Sequence, residues 1–407
     1  MKKIDISELR IGMYVEDFCV PWLKSPFWSL SLLVDTPDKL SRIIASNVSE
    51  LLIDPSRGAD IALAPSAGAA TVKATLSKAV SFRYPPVVPT SMATELDRAA
   101  QLLTESKTAV SSMFHEARMG NAISAEQVRP LVDEIAMSVM RNPDALVSLV
   151  RLKHADEYTY MHSVAVCALM IALARQLKMP DAQVRELGLA GLMHDIGKML
   201  VPQDILNKPG DLTQDEFTAI KDHPEGGHRL LLAGNDVSEI VLDVCLHHHE
   251  KLNGTGYPAG LAGDAISVAA RMGAICDVYD AITSDRPYRS GWCPAASLSK
   301  MMEWCNGHFD PDILGAFIKC MGIYPVGTVV KMQSGRLAVI ADHGLGKSLI
   351  APTVCVFFCT NSKTLLAPEL VNLSEPAVKD KILGREDAAK WGVGDTRRYW
   401  IKHPTVL

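Results

Sequence analysis

Histidine and aspartate recur through the middle of this chain at the spacing of one helix plus its return connection. His162, His194-Asp195, His223, His248-His249 and Asp277 follow one another at intervals of 25 to 32 residues. Between them the apolar residues keep a helical period, and Pro180, Pro202, Pro224 and Pro294 fall at or near the expected boundaries. A chain written this way can build a helical bundle in which each helix points one or two side chains into a shared interior site.

The helical pattern begins near residue 91. Segment 92–118 carries Leu96, Ala99, Leu103, Val110 and Phe114 near a 3.6 period. Ser124 with Gln127 has the spacing of a capping box, which predicts the start of the next helix. Further helices are expected near 159–178, 181–196, 213–233, 236–250, 264–284 and 295–305, and Gly322 to Pro325 closes an all-α bundle over 91–322. The flanks read differently. Residues 1–62, with Ile4, Ile6, Val15 and Val20 among Gly12, Pro21 and Pro26, predict a small β-rich domain with a helix over 37–49 and a strand at Leu51–Ile53. Residues 63–90, rich in Ala, Ser and Pro, read as a linker. In 323–407, strands are expected at Thr328–Met332, Leu337–Ile340 and Val354–Phe358. The expected fold class is therefore multidomain, mainly all-α, with small β-rich domains at both ends.

Composition narrows the function. A net charge of −5 argues against a general binder of nucleic-acid polymers or membrane surfaces. No run approaches the roughly 20 apolar residues of a membrane span, and no apolar segment follows MKKIDISELR as a secretion signal would require. The nine cysteines lack a C-x-x-C pair, so reduced thiols and a cytoplasmic location are expected.

Imidazole and carboxylate donors suit iron, manganese, nickel or zinc. Asp195, with two oxygens, is the natural candidate to bridge two ions. A pair of ions about 3.5–4 Å apart can activate a hydroxide while clamping a phosphodiester oxygen. A single histidine in a helix is more often structural than a ligand. The number of ligand-type residues here, in their H-D-x-G-K and H-H…G-x-G-Y-P contexts, favours the metal reading.

These contexts also carry a family resemblance. His194-Asp195-Ile196-Gly197-Lys198, I-L-N-K-P-G at 205–210, His223-Pro224 with Gly227, and H-H-E-K-L-N-G-T-G-Y-P at 248–258 form one part of it. Gly260-Leu261, Ala270-Arg271, D-V-Y-D-A-I-T-S-D-R-P-Y-R at 277–289 and F-D-P at 309–311 complete it. Residues 157–311 thereby resemble the HD-GYP subgroup of the HD phosphohydrolases. The resemblance implies a cytoplasmic signalling enzyme that hydrolyses cyclic di-GMP to linear pGpG, and further to GMP. A preference for cyclic GMP-AMP, or a role as a non-catalytic receptor, are the alternatives.

It further implies that His162, His194, Asp195, His223, His248, His249 and Asp277 are metal ligands. Lys198, Tyr257, Arg286 and Arg289 are implied to face the substrate, with His194, Asp195 and Lys198 at the chemistry. Lysine and arginine can neutralise a diester and fix its oxygens, and Tyr257 can stack on a base. Arg286 and Arg289 could instead pair with Asp285 or Asp280, and Lys198 could be a cation at a helix C-terminus. Glu250 is expected to orient the histidines, and His247, rotated about 100° from its neighbours, is expected to lie outside the site.

Two departures stand out. Some relatives hold a third metal with a glutamate four residues before the first histidine; here that position is Tyr158, so two divalent ions, iron or manganese, are expected. Asn253 stands where the family often has Asp. R-I-G-M-Y-V at 10–15 and W-L-K-S-P-F at 22–27 resemble a small domain of unknown function found before HD-GYP domains. Trp22, Phe27 and Trp28 would form its core, or bind a ligand or a partner, the partner being a second copy or another protein.

Overall fold

The computed structural model describes residues 2–17, 32–44, 48, 50–59, 82–151, 158–206, 208, 210, 212–234, 236–285, 291–305, 307–344 and 351–401. The chain divides into two compact units, Met1–Arg83 and Tyr84–Leu407. Trp22, Phe27 and Trp28 lie outside the described residues, as does most of the linker.

In the first unit, β1 (Lys2–Asp5), β2 (Tyr14–Asp17), β3 (Leu32–Leu33) and β4 (Glu50–Ile53) form an antiparallel sheet in the order β1-β4-β2-β3, accompanied by α1 (Pro37–Ile44). Alternation on β4 turns Leu51 and Ile53 inward, where they meet Ile4, Val15, Val34 and Ile43 in a small apolar core.

The second unit is helix-rich. It contains α2 (Met92–Arg118), α3 (Arg129–Arg141), α4 (Pro143–Val150), α5 (Tyr158–Gln176), α6 (Asp181–Met193), α7 (Gln203–Leu206) and α8 (Gln214–Lys221). It continues with α9 (His223–Leu232), α10 (Glu239–His247), α11 (Val268–Thr283), α12 (Pro294–Glu303) and α13 (Pro311–Met321). Helix α5 is buried on all sides from Met161 to Ala174, which makes it the central element of the bundle.

Boundaries depart from the sequence reading where local chemistry intervenes. The expected helix over 213–233 is two helices, α8 and α9, with Asp222 between them and Pro224 in the first turn of α9. Ser124 does not open a helix. Its Oγ instead donates to Asp236 Oδ2 at 2.9 Å, and Asp236 also accepts from the Ala125 and Glu126 amides, so this turn is capped from a distant loop. Helix α3 begins five residues later, at Arg129.

The C-terminal strands β5 (Val329–Met332), β6 (Arg336–Asp342), β7 (Thr353–Cys359), β8 (Thr364–Asn372) and β9 (Ile382–Arg385) form a second antiparallel sheet, in the order β8-β7-β6-β5-β9. Only the first three match the expected strands; β8 and β9 are additional. Polar contacts fasten this sheet to the bundle. Arg151 donates to the Val326 carbonyl at 2.8 Å, and His343 bridges Asp144 on α4 and the Tyr324 carbonyl.

Candidate metal centre

The bundle collects its histidines at helix ends. His194 is the C-cap of α6, His223 is the first residue of α9, and His248 is the C-cap of α10, while His162 and Asp277 come from the buried faces of α5 and α11. Helix ends suit histidine because the last carbonyls lack an intrahelical partner. His194 Nδ1 donates to the Gly191 carbonyl at 2.8 Å and His248 Nδ1 to the Val244 carbonyl at 3.0 Å. His223 Nδ1 donates to the Ile220 carbonyl at 2.7 Å. A carbonyl can only accept, so each Nδ1 carries a proton and each Nε2 is turned inward, where a neutral ring offers a lone pair.

Two glycines let these ends meet. A Cβ on Gly197 would lie 1.9 Å from the His223 carbonyl oxygen, and a Cβ on Gly227 would lie 3.0 Å from the Gly197 nitrogen. Only side-chain-free backbone permits that approach, which brings the turn carrying Asp195 against the start of α9.

Two groups of donors result, Asp195 with His223, His248 and His249, and His162 with His194 and Asp277. Asp195 faces both. Its Oδ1 lies 3.2 Å from His223 Nε2 and 3.7 Å from His248 Nε2, while its Oδ2 lies 3.4 Å from His162 Nε2 and 3.3 Å from His194 Nε2. Asp277 Oδ1 stands 3.0 Å from His162 Nε2, and its Oδ2 lies 3.9 Å from His249 Nδ1. All seven candidate ligands named from the sequence are therefore brought together.

This cluster fits metal ions on its own chemistry. His223 Nε2 and His248 Nε2 are 3.3 Å apart, with both rings' protons committed to carbonyls on the other side. His194 Nε2 and Asp195 Oδ1 are buried without a hydrogen-bond partner. Converging lone pairs and carboxylate oxygens repel one another unless a cation lies among them.

The histidines divide in their titration behaviour. Burial and the neighbouring His249, His194 and His223 hold His248 well below its ordinary pKa, and burial pushes His249 down to about 3. Burial also disfavours a charged His194, yet the Asp195 and Asp277 carboxylates outweigh it and raise that ring to about 10. Burial opposes ionisation of Asp195 as well, but His194 and Lys198 hold its carboxyl well below the usual range.

Around the cluster, Lys198 reaches Asp195 Oδ2 with its ammonium. Tyr257 stacks on His249, with ring centroids 4.7 Å apart and planes at 27°. Arg286 and Arg289 lie outside the described residues. His247 turns away to Asp243, as its rotation implied. The Glu250 side chain turns to the loop that follows. Its two oxygens accept from the Ala259 and Leu261 amides at 2.7 and 3.0 Å, so it holds the G-Y-P loop. Arg271 and Asp310, both in family-like segments, pair with each other at 2.9 Å and tie α11 to the start of α13. Sequence reasoning missed the role of Asp280. It lies one turn after Asp277 on α11, and its Oδ2 accepts from His162 Nδ1 at 2.6 Å. The available signal was the D-V-Y-D spacing, which puts both carboxylates on one helix face.

Residues 140–313 match the HD domain family, and residues 1–128 match a domain of unknown function, DUF3391. A Pseudomonas aeruginosa protein named as a cyclic di-GMP phosphodiesterase is 51% identical over 401 residues, covering 98% of this chain and 95% of that protein. The chain belongs to the HD-GYP family. A second HD-GYP relative, a Xanthomonas campestris response regulator named as a cyclic di-GMP phosphodiesterase, is 33% identical over 50% of this chain and 57% of its own. A Vibrio cholerae protein named as a 3'3'-cGAMP-specific phosphodiesterase is 36% identical over 41% of this chain and 36% of its own. Among the described residues of this HD-GYP protein, no helix is long and apolar enough to cross a membrane.

Proposed function

We propose that this chain hydrolyses cyclic di-GMP to linear pGpG, with GMP as the product of a second cleavage, at a centre of two divalent ions, iron or manganese. The observation that carries the reading is the divided facing of Asp195, one oxygen toward His223 and His248 and the other toward His162 and His194. A carboxylate so placed suits a bridge, with His162, His194 and Asp277 holding one ion and His223, His248 and His249 the other. When bound, such a pair supplies Lewis acidity and a water of lowered pKa. Two ions are proposed because Tyr158 opens α5 where a third site would need a carboxylate.

The remaining roles belong to the chain's own side chains. Lys198, one-quarter exposed beside Asp195, neutralises the diester as it enters. Tyr257, beside His249, meets a base. Arg286 and Arg289 supply planar forks for the phosphate oxygens, on the strength of the R-P-Y-R pattern alone. Cyclic di-GMP is preferred over 3'3'-cGAMP because the relative aligned across nearly the whole chain is named for the former. The absence of a C-x-x-C pair among the nine cysteines supports action in a reducing compartment, the cytoplasm. The N-terminal domain is proposed as the contact for a second copy or a regulatory protein.

The test is product chromatography after incubating manganese- or ferrous-loaded protein with cyclic di-GMP, and separately with 3'3'-cGAMP, without oxygen. Linear pGpG formed faster than the cGAMP product is the expected result. Faster cGAMP turnover would reassign the substrate. Binding of cyclic di-GMP without turnover at full metal occupancy would make the protein a receptor.

A further inference from the structure

Next to the cluster lies a cleft of about 500 Å³ that the metal chemistry does not use. One wall is the loop after His249-Glu250, which contributes Lys251, Asn253 and Thr255. Glu303, Trp304 and His308, from the end of α12 and the turn beyond it, form the other. Backbone hydrogen bonds join the walls, from Leu252 N to the His308 carbonyl at 3.3 Å and from Asn253 N to the Gly307 carbonyl at 2.9 Å. The cleft is close to the centre. Lys251 is two residues from His249, and Asp277 lies near enough to His308 to act on its imidazole electrostatically.

The lining has a definite chemistry. Trp304 stands beside His308 and Phe309, with ring centroids 6.4 and 6.5 Å away, and His308 stacks on Phe309 at 4.0 Å. Burial pushes His308 down to about 4, so this aromatic wall is uncharged near neutrality. Glu303 offers a carboxylate that only accepts hydrogen bonds. Its pairing with Lys300 at 2.7 Å is between two largely exposed side chains, 63% and 43%, so a ligand can recruit the carboxylate at little cost. Lys251, two residues after His249, adds a cation to the lining.

A flat aromatic face, a carboxylate acceptor and a cation lining one cleft together fit a purine nucleotide. The acceptor also chooses between purines. Guanine presents its N1–H and exocyclic amine as adjacent donors, which a carboxylate can receive together. Adenine presents the N1 lone pair at the same edge, which a carboxylate repels.

Building on the cyclic di-GMP reading above, we propose that this cleft seats one of the two guanine bases of the substrate. Trp304 stacks on the base, Glu303 reads its Watson–Crick edge, and Lys251 balances the adjoining phosphate. The cleft thereby sets a preference for dinucleotides that carry guanine over cyclic di-AMP, which has none to place there.

The experiment compares Trp304→Ala, Trp304→Phe and Glu303→Gln with wild type in the metal-loaded full chain, measuring kcat and KM for cyclic di-GMP and for cyclic di-AMP. Trp304→Ala should raise KM for cyclic di-GMP by about tenfold or more, and Trp304→Phe should recover most of that loss. Glu303→Gln should lower the ratio of kcat/KM for cyclic di-GMP over cyclic di-AMP by about tenfold. A wild-type KM in Trp304→Ala together with an unchanged ratio in Glu303→Gln would overturn the cleft while leaving the proposed function standing. Should Trp304→Ala fail to fold, the ratio in exposed Glu303→Gln decides alone. If wild type turns over neither dinucleotide, the proposed function fails, and calorimetric binding of cyclic di-GMP decides the cleft. Weaker binding by Glu303→Gln then supports it; equal binding, or none by wild type, overturns it.

Discussion

His162 Nδ1 donates to Asp280 Oδ2 at 2.6 Å, with both side chains almost wholly buried. The carboxylate fixes the tautomer of His162, and the ring's Nε2 is left facing Asp195 and Asp277. Asp280 itself accepts from Ser284 Oγ at 3.1 Å, so the orienting group is held in turn. Asp280→Asn keeps the shape and removes the charge. Metal affinity should fall by about 10- to 100-fold while the fold persists. Metal titration with a competing chelator, alongside circular dichroism, measures this; unchanged affinity would remove Asp280 from the account.

Gly197 makes the sharpest packing prediction. An added Cβ would meet the His223 carbonyl oxygen at 1.9 Å, a contact no side-chain rotation can relieve. Gly197→Ala should therefore push α9 away from Asp195, costing about 3 kcal/mol or more in stability and lowering metal content together. Thermal melting and metal analysis of the same preparation test the coupling. A variant of normal stability and metal content would show that the close approach is dispensable.

The loop clamp separates from the metal site. Glu250→Ala frees the Ala259 and Leu261 amides, at a cost of about 2 kcal/mol or more to local order. Because both Glu250 oxygens are taken up by these loop amides, metal content should hold while KM for cyclic di-GMP rises with the loosening of Tyr257. Loss of metal in this variant would contradict the role assigned from the geometry.

The attachment of the C-terminal sheet should depend on pH. His343 donates from Nδ1 to Asp144 and from Nε2 to the Tyr324 carbonyl, which requires both ring protons. Burial opposes that charge, but the Asp144 carboxylate prevails and raises the pKa. A raised folded-state pKa gives a contribution fully present below the unfolded value of about 6.5 and lost as pH rises through the folded value. Melting temperature should thus fall as pH increases from 6 through that range. His343→Ala should cost about 3 kcal/mol at pH 6 and flatten this component of the profile. An unaltered pH profile in the variant would exclude His343 as its source.

Much of the centre was legible because metal ligation needs particular residue types at helix spacing. His162, His194, Asp195, His223, His248, His249 and Asp277 could be named from periodicity and local motif, and they converge. Glu250 was misplaced because a carboxylate beside histidines has two uses, and only the fold shows its oxygens on the Ala259 and Leu261 amides. The Ser124 cap was misread because the stronger acceptor, Asp236, lies more than 100 residues away in sequence. Strand β8 escaped notice because it is exposed on both faces along most of its length and so carries no alternating pattern. The base cleft was equally hidden, since Lys251 and Trp304 are brought together only by pairing of the loop with the turn after α12.

The central claim is that diester cleavage happens at the carboxylate facing both groups of histidines. Cyclic di-GMP turnover by manganese-loaded wild type and Asp195→Ala, measured side by side by chromatography, tests it most directly. The account predicts pGpG from the wild type and none above background from the variant. Comparable pGpG from both proteins would contradict it.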